Sequence, residues 1–406
     1  MSPDVLATSD IVVVGAGLAG LCTAFELRRR GFDVTVVEQR FPAFGASGRN
    51  PGCLWVQTRR SGVELAIARA AKVKYAEYAD ELGDVFEYRQ LGGLFFFENE
   101  EQGRVLQDYV QDRRAEGVEI ELLSVNRARK HAPMLPATAI GAVYCAEDAQ
   151  IDTQRFIGAL SAAVIRSGVR LYENTAVLSV IRQGNRVDGV RTVRGNIRAS
   201  GVVWATGAWT LNLTAEGIVL PVTTARMGQV VTQPVDQLPS AILHGPRGVA
   251  NCSALTDLAS YEPSIFAHPH ARPEQGVGRL DYDDCLAQNR SGSLVIGAGI
   301  DGYGSLNPHI SVASTEAMIS TTLERYPDRA HLGVTGLWAG LTSDTPDHLP
   351  IVDRLDTAHV NAGHSWGVAS APVAGQVLAE LIAGEQNQFA TALRADRPSL
   401  EAVRYQ

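Results

Sequence analysis

Positive charge is not in excess in this chain. Its 36 lysines and arginines stand against 44 aspartates and glutamates, a net −8. A phosphate-reading surface needs the opposite sign, so no nucleic-acid partner is expected. Long apolar runs are also missing: none approaches the roughly 20 residues that cross a bilayer. The opening MSPDVLATSD is polar and acidic rather than basic and then apolar, so neither a membrane span nor a secretory leader is expected, and the location expected is cytoplasmic. Cysteine is sparse. Cys22, Cys53, Cys145, Cys252 and Cys285 are scattered and odd in number, with no zinc, iron–sulfur or disulfide spacing. The reading is free thiols in a reducing compartment and no bound metal. Internal repeats and low-complexity linkers are absent too. What remains is ordinary globular material, 406 residues with 45% apolar and 20% charged side chains, enough for two domains or one elaborate one.

The N-terminal stretch carries the clearest chemistry. Asp10-Ile11-Val12-Val13-Val14 is a β-branched run of the kind that forms a buried parallel strand. Gly15-Ala16-Gly17-Leu18-Ala19-Gly20 follows it. The next ten residues place Leu21, Ala24, Phe25 and Leu27 on one helical side and end in basic residues before Gly31, which are helix-stop signals. A second strand, residues 33–37, ends at Glu38. In this arrangement Gly15 permits the tight turn, Gly17 lets backbone approach a pyrophosphate, and Gly20 lets the helix sit close to the strand. The helix N-terminus offers free N–H groups to phosphate, and Glu38 can accept both hydroxyl hydrogens of an adenosine ribose. With Ala16, Leu18, Ala19, Gln39 and Arg40 these residues are the expected dinucleotide site. An acid at 38 disfavours a 2′-phosphate.

Three later segments bear on which dinucleotide it is: Ala46-Ser47-Gly48-Arg49-Asn50-Pro51-Gly52, Ala205-Thr206-Gly207 after the strand at 202–204, and the late pair around Gly340-Leu341-Thr342-Ser343 and Gly363-His364-Ser365-Trp366-Gly367-Val368-Ala369. From residue 10 to about 384 the chain resembles the FAD-dependent D-amino-acid oxidase superfamily, in its glycine oxidase, sarcosine oxidase and amino-acid dehydrogenase branch. The resemblance implies FAD. Contacts are then implied for Ala46, Ser47, Arg49, Asn50 and Gly52, for Val177, for Thr206 and Gly207, for Gly340, and for Gly363, His364, Ser365, Gly367, Val368 and Ala369. A helix N-terminus at the late turn suits the negative charge of reduced flavin. The implied reaction removes hydride from a carbon beside nitrogen and delivers it to flavin N5, giving an imine that hydrolyses.

The fold expected is α/β, a Rossmann-type FAD domain with an inserted, mainly antiparallel substrate sheet. The FAD domain is expected in pieces, 8–80, 150–215 and 330–395, with the substrate domain at 81–149 and 216–329. Helices are expected at 54–80, 154–167 (capped by Asp152 or Thr153) and 372–383. A hairpin is expected at 88–97, its aromatic strand buried on both faces, with strands over 169–204 and within 219–300. Gly297-Ala298-Gly299-Ile300-Asp301-Gly302 repeats the glycine spacing, but residues 303–308 cannot open a helix, so it is read as a strand ending in a loop.

The substrate half departs from the family pattern. The family's usual carboxylate-binding arginine is replaced by Thr342, its late-turn lysine by Ala369, and its flavin-linking cysteine by Gly340, so no covalent FAD link is expected there. Either the substrate carries no carboxylate at the usual place or another cation binds it. Arg59, Arg60 and Arg226 are the candidates, with Arg49 favoured as a flavin contact. His244, His268, His270 and His364 are candidate polar lining, and Trp55 and Trp366 candidate walls. The expected activity is oxidation of a small amine or amino-acid derivative. Alternatives are a 2-hydroxy-acid oxidoreductase or a flavoprotein subunit of a multi-chain dehydrogenase. A small-molecule substrate is expected, and assembly with copies of itself or with a partner chain stays open.

Overall fold

The computed structural model describes residues 5–184, 186–236, 240–249, 252–272, 278–356 and 358–401. The chain opens with β1 (Val5–Val14), α1 (Leu18–Arg29) and β2 (Val34–Val37). Val12, Val13, Val34 and Val36 are wholly buried, as a two-faced parallel strand pair requires. A short β3 (Cys53–Leu54) and the long α2 (Val63–Leu82) follow. The helix expected from residue 54 therefore starts nine residues late. The N–H groups of Val56 and Gln57 donate to the buried Asp148 carboxylate, at 2.6 and 3.2 Å, instead of to helical carbonyls.

Next come β4 (Gly93–Phe97), α3 (Glu100–Ala115), β5 (Ile120–Ser124), α4 (Val125–His131), β6 (Gly141–Cys145) and β7 (Ala149–Gln150). No hairpin forms at 88–97. Arg89 bridges to Gln150, Gly92 turns with φ +81°, and only Gly93–Phe97 becomes strand, between β6 and a later strand. That strand is buried throughout, as expected. Phe95 and Phe97 join one core and Leu94 and Phe96 another, which is what alternation does when both faces are covered.

Helix α5 (Thr153–Arg166) is capped by Asp152, whose side chain accepts from the Arg155 N–H. Strands β8 (Arg170–Tyr172), β9 (Val177–Gln183), β10 (Arg186–Thr192) and β11 (Gly195–Trp204) return the chain to the first sheet. Then β12 (Arg226–Pro234), β13 (Ile242–His244), the short α6 (Pro246–Val249) and α7 (Ser253–Thr256), β14 (Asp281–Gln288) and β15 (Ser293–Asp301) build the second. The chain closes with α8 (Val312–Arg325), β16 (Val334–Leu341), β17 (Ile351–Leu355), β18 (Ala358–Ala362) and α9 (Gly367–Ala383). Pro372 lies inside α9 rather than at its start.

The first sheet runs β17-β18-β11-β1-β2-β8, with β9 and β10 as an antiparallel pair on β11. The contacts from β18 through β8 are parallel. The second runs β16-β12-β15-β14-β13-β4-β6-β5 and is antiparallel except at β13–β4. This is a mixed α/β fold with a Rossmann-type sheet and a second, mainly antiparallel one. Gly297 and Gly299 of the 297–302 repeat sit within β15 and Gly302 follows its end, and a Cβ at Gly299 would lie 2.2 Å from Ser314 Oγ on α8. Gly299 serves packing there.

Helix α9 is held tightly against α1. A Cβ on Gly375 would come within 2.8 Å of the Cys22 backbone. Glu26 of α1 pairs with Arg30 and with Lys74 of α2, at 2.8 and 2.9 Å, and Arg30 reaches Glu380 of α9 at 2.9 Å. Among the described residues no helix is long and apolar enough to cross a membrane.

Candidate active site

A cavity of about 510 Å³ lies between the two sheets. One end is built by the β1–α1–β2 unit. Gly15 has φ +109°, and a Cβ there would sit 2.3 Å from Ala205 O. Gly20 lies under Gly15, where a Cβ would be 1.9 Å from the Gly15 carbonyl. Only glycine satisfies either position. The Glu38 carboxylate accepts from the Ala16 and Arg40 N–H groups, both at 2.9 Å, and still faces the cavity. Burial pushes its pKa above the ordinary value, against the pull of those backbone donors.

The 46–52 loop runs along the cavity. Ser47 Oγ accepts from the Leu18 N–H at 3.0 Å. Asn50 pins the loop's own shape, donating to the Ala46 and Ser47 carbonyls and accepting from the Gly52 N–H. Arg49 donates to Ala339 O at 3.1 Å and lies over the Phe44 ring. At the other end Gly367, Val368 and Ala369 of α9 face the cavity, and that N-terminus has no side-chain cap. Uncapped N–H groups at a helix start attract anionic or electron-rich atoms.

Most of the residues expected to hold a cofactor line this one cavity: Gly15, Gly17, Leu18, Ala19, Glu38, Gln39, Ala46, Ser47, Arg49, Asn50, Val177, Thr206, Gly207, Gly340, His364, Ser365, Gly367, Val368 and Ala369. Ala16, Gly20, Arg40, Gly52 and Gly363 stand behind it. Ala16 and Arg40 orient Glu38, Gly20 and Gly52 let backbone pass close to Gly15 and Ile151, and Gly363 abuts Thr345. An acceptor pinned at the ribose end, glycines with no room for a Cβ, and an uncapped helix start at the far end together fit a dinucleotide.

His364 has a structural environment. Its Nδ1 meets Ser370 Oγ at 2.9 Å and its Nε2 meets Asn361 Oδ1 at 2.8 Å. The Asn361 amide in turn donates to Thr23 Oγ1 of α1. Burial lowers the ring's pKa to about 4, so it is neutral and both nitrogens are engaged. It lines the cavity while tying the late turn to α1.

Trp55, Arg59, Gln229, His244, Asp283, Thr342 and Trp366 also line the cavity. Of the three candidate cations only Arg59 faces the cavity. It is 2% exposed, stacks 4.0 Å over the Trp366 ring, donates Nη1 to Glu64 Oε1 at 3.3 Å, and gives Nε and Nη2 to Thr58 Oγ1. Burial pushes the Arg59 pKa down and the Glu64 pKa up. Arg60 instead points out to Asp257, 2.6 Å away. Arg226 is spent on Asp301 and the His309 carbonyl. Both are corrections to the sequence reading. So are His268, enclosed by Tyr282, Thr321 and Asp284, and His270, paired with Glu324 at the surface. Thr342 lines the wall, but its Oγ1 accepts from the Ala225 N–H.

Asp283, Gln229, Cys53 and Cys285 were not singled out by the sequence reading, yet all four line the cavity. The signal for the first was present: three acids crowd the five residues 281–285, and buried acids within a strand mark a site. Asp283 Oδ1 lies 3.5 Å from His244 Nε2. Burial raises the Asp283 pKa, with His244 opposing. Burial alone would lower that of His244, but Asp283 and Cys285 turn it upward.

Fold and cradle together define a dinucleotide-dependent redox enzyme. The family model for FAD dependent oxidoreductases (DAO) matches residues 10–381, and the chain belongs to that family. It is 27% identical over 395 residues to the bifunctional protein ThiO/ThiG of Nostoc sp., covering 94% of this chain and 53% of that protein. The chain thus spans about half the length of such bifunctional relatives. It is 28% identical over 393 residues to the glycine oxidase of Pseudomonas aeruginosa, covering 93% and 95% of the two chains. The crystal structure of glycine oxidase from Geobacillus kaustophilus superposes with a TM-score of 0.81 at 22% identity, over 96% of this chain and 99% of that one. The cofactor is FAD.

Proposed function

We propose that the protein oxidises the carbon–nitrogen bond of a small amino acid or amino-acid-like amine whose carboxylate is held by Arg59. The observation that carries this reading is a buried guanidinium on the cavity wall. It replaces the cations that Thr342 and Ala369 do not supply. Its fork is planar and fixed by Thr58, Glu64 and Trp366, which suits bidentate carboxylate binding.

Gly15, Gly17, Glu38, Ser47, Val177, Thr206 and the α9 N-terminus are the residues that would hold FAD. When bound, FAD supplies the two-electron acceptor for hydride from the carbon beside nitrogen. The chain's own work is placement and proton handling. Arg59 fixes one end of the substrate, and Trp55 and Trp366 exclude water from the flanks. The amine reacts in its neutral form, and the buried Asp283–His244 pair is the acceptor for its departing proton. The imine then hydrolyses to a carbonyl product.

Anaerobic flavin bleaching against a panel of amino acids, carboxylate-free amines and 2-hydroxy acids tests the proposal. Amino acids bleach the flavin fastest if it is right. Preferential bleaching by hydroxy acids, or by amines without a carboxylate, overturns it.

A further inference from the structure

Cys53 and Cys285 are 232 positions apart in sequence, yet their sulfurs are 3.8 Å apart. Cys53 sits on β3, just past the loop that runs along the cofactor cradle; Cys285 sits on β14 of the second sheet. Both face the cavity. The remaining cysteines, Cys22, Cys145 and Cys252, are buried in the cores and do not line it. Cys285 has an unusual neighbour. It stands directly opposite His244 in the β13–β14 register, so the two side chains share a face. Behind the imidazole lies Asp283 at 3.5 Å. His244 Nδ1 and Asp283 Oδ1 are both buried without a hydrogen-bond partner among the described residues.

We propose that Cys53 and Cys285 form a redox-active thiol pair, converted to a disulfide by a hydroperoxide that reaches the cavity. His244, oriented by Asp283, takes the proton of Cys285. The thiolate attacks one peroxide oxygen and the O–O bond breaks. The leaving oxygen takes the proton back from His244 and departs as water or an alcohol, leaving Cys285 as a sulfenic acid. Cys53 sulfur then attacks Cys285 sulfur, and the S–O bond breaks with loss of water, which carries off the Cys53 proton. Two thiols and one hydroperoxide give one disulfide, one alcohol (or water) and one water. The sulfurs lose two electrons and the peroxide gains them. The sulfurs close from 3.8 Å to a bond of roughly 2 Å.

The hydrogen bond to Cys53, with burial added, pushes the Cys285 thiol well up, so Cys285 rests protonated and His244 has work to do. The bridge joins β3 to β14 of the second sheet within the cavity wall. Two-electron reduction of oxygen by any flavoenzyme makes hydrogen peroxide, so the oxidant and the pair can meet in one cavity. The inference does not rest on the substrate proposed above, because peroxide is added directly.

The test treats the FAD-loaded protein with hydrogen peroxide, blocks remaining thiols by alkylation and maps peptides by mass spectrometry without reduction. The expected result is an intrachain Cys53–Cys285 peptide, a chain lighter by two hydrogens, and restoration by dithiothreitol. C53S should stop at a sulfenic acid on Cys285, trapped by a dione reagent. H244Q should form the same bridge about 10²-fold more slowly, the scale of general-base assistance. Five alkylated cysteines after peroxide, a bridge between other cysteines or between chains, or an H244Q variant that reacts as fast would overturn the proposal.

Discussion

The Arg59 guanidinium lies 4.0 Å over the Trp366 ring, joining the loop after β3 to the first residue before α9. One contact thus links the wall assigned to substrate with the turn assigned to flavin. Removing Arg59 alone strands Glu64, a buried acid, and breaking such a pair costs about 3–5 kcal/mol. The informative variant is therefore R59M/E64M. We expect it to fold, and to lose about 10²-fold in kcat/KM for the best amino acid, mostly through KM. An unchanged KM in steady-state kinetics would remove Arg59 from substrate binding.

Glu38 has its own pH signature. Burial raises its pKa above 4.5, and the carboxylate accepts hydrogen bonds from a ribose more strongly than the neutral acid does. As pH falls through that raised value the group protonates, so FAD affinity should begin to drop at a pH where an ordinary carboxylate would still be charged. E38Q should weaken binding about 10- to 100-fold at neutral pH and flatten the profile. Fluorescence titration of apoprotein with FAD between pH 4 and 8 reads both.

Asp148 holds the loop that carries Trp55 and Arg59, through Val56, Gln57 and the Gln57 amide. Burial raises its pKa from 3.8 to about 6, against those hydrogen bonds. The folded state therefore binds more protons than the unfolded state between those values, so stability contributed by this group falls as pH rises from about 4 to about 6 and is flat above. Buried His364, its pKa lowered to about 4, works in the opposite sense in both chains, so the test is the difference between them: the melting temperature of the native chain minus that of D148N should fall as pH rises across this range. A difference that rises over the window would contradict the assignment.

Gly20→Ala is the sharpest test of the cradle. The added methyl would meet the Gly15 carbonyl at 1.9 Å, a backbone atom with nowhere to go. We expect a cost of about 1–3 kcal/mol or more and a preparation with little flavin absorbance per chain. A variant that purifies fully flavinated would show that the turn is looser than this geometry.

The β1–α1–β2 unit was legible because its logic is local: a β-branched run, three glycines each with a separate steric job, and an acid at the end of the second strand. The start of α2 was not, because it is decided by Asp148, 92 positions away. Arg59 and Arg60 are neighbours with the same chemistry, and only the turn of the loop sends one inward to Trp366 and the other out to Asp257. Asp283 and Cys285 reach the cavity through strand register across long connections, which composition does not encode. His364 looked like lining and is lining, but its Asn361 and Ser370 partners make it a brace as well.

The walls of the cradle come from Gly15, Glu38, Thr206 and Gly367, so its first and last members are separated by most of the chain. In the first sheet β1 is completed by β11, and β11 by β18. During synthesis the N-terminal strand must therefore wait for partners that the ribosome makes much later, and long waits expose apolar edges. Nascent chains arrested before Gly367 should capture no FAD, whereas a chaperone that shields β1 until β18 emerges would raise the yield of flavinated enzyme without touching its stability.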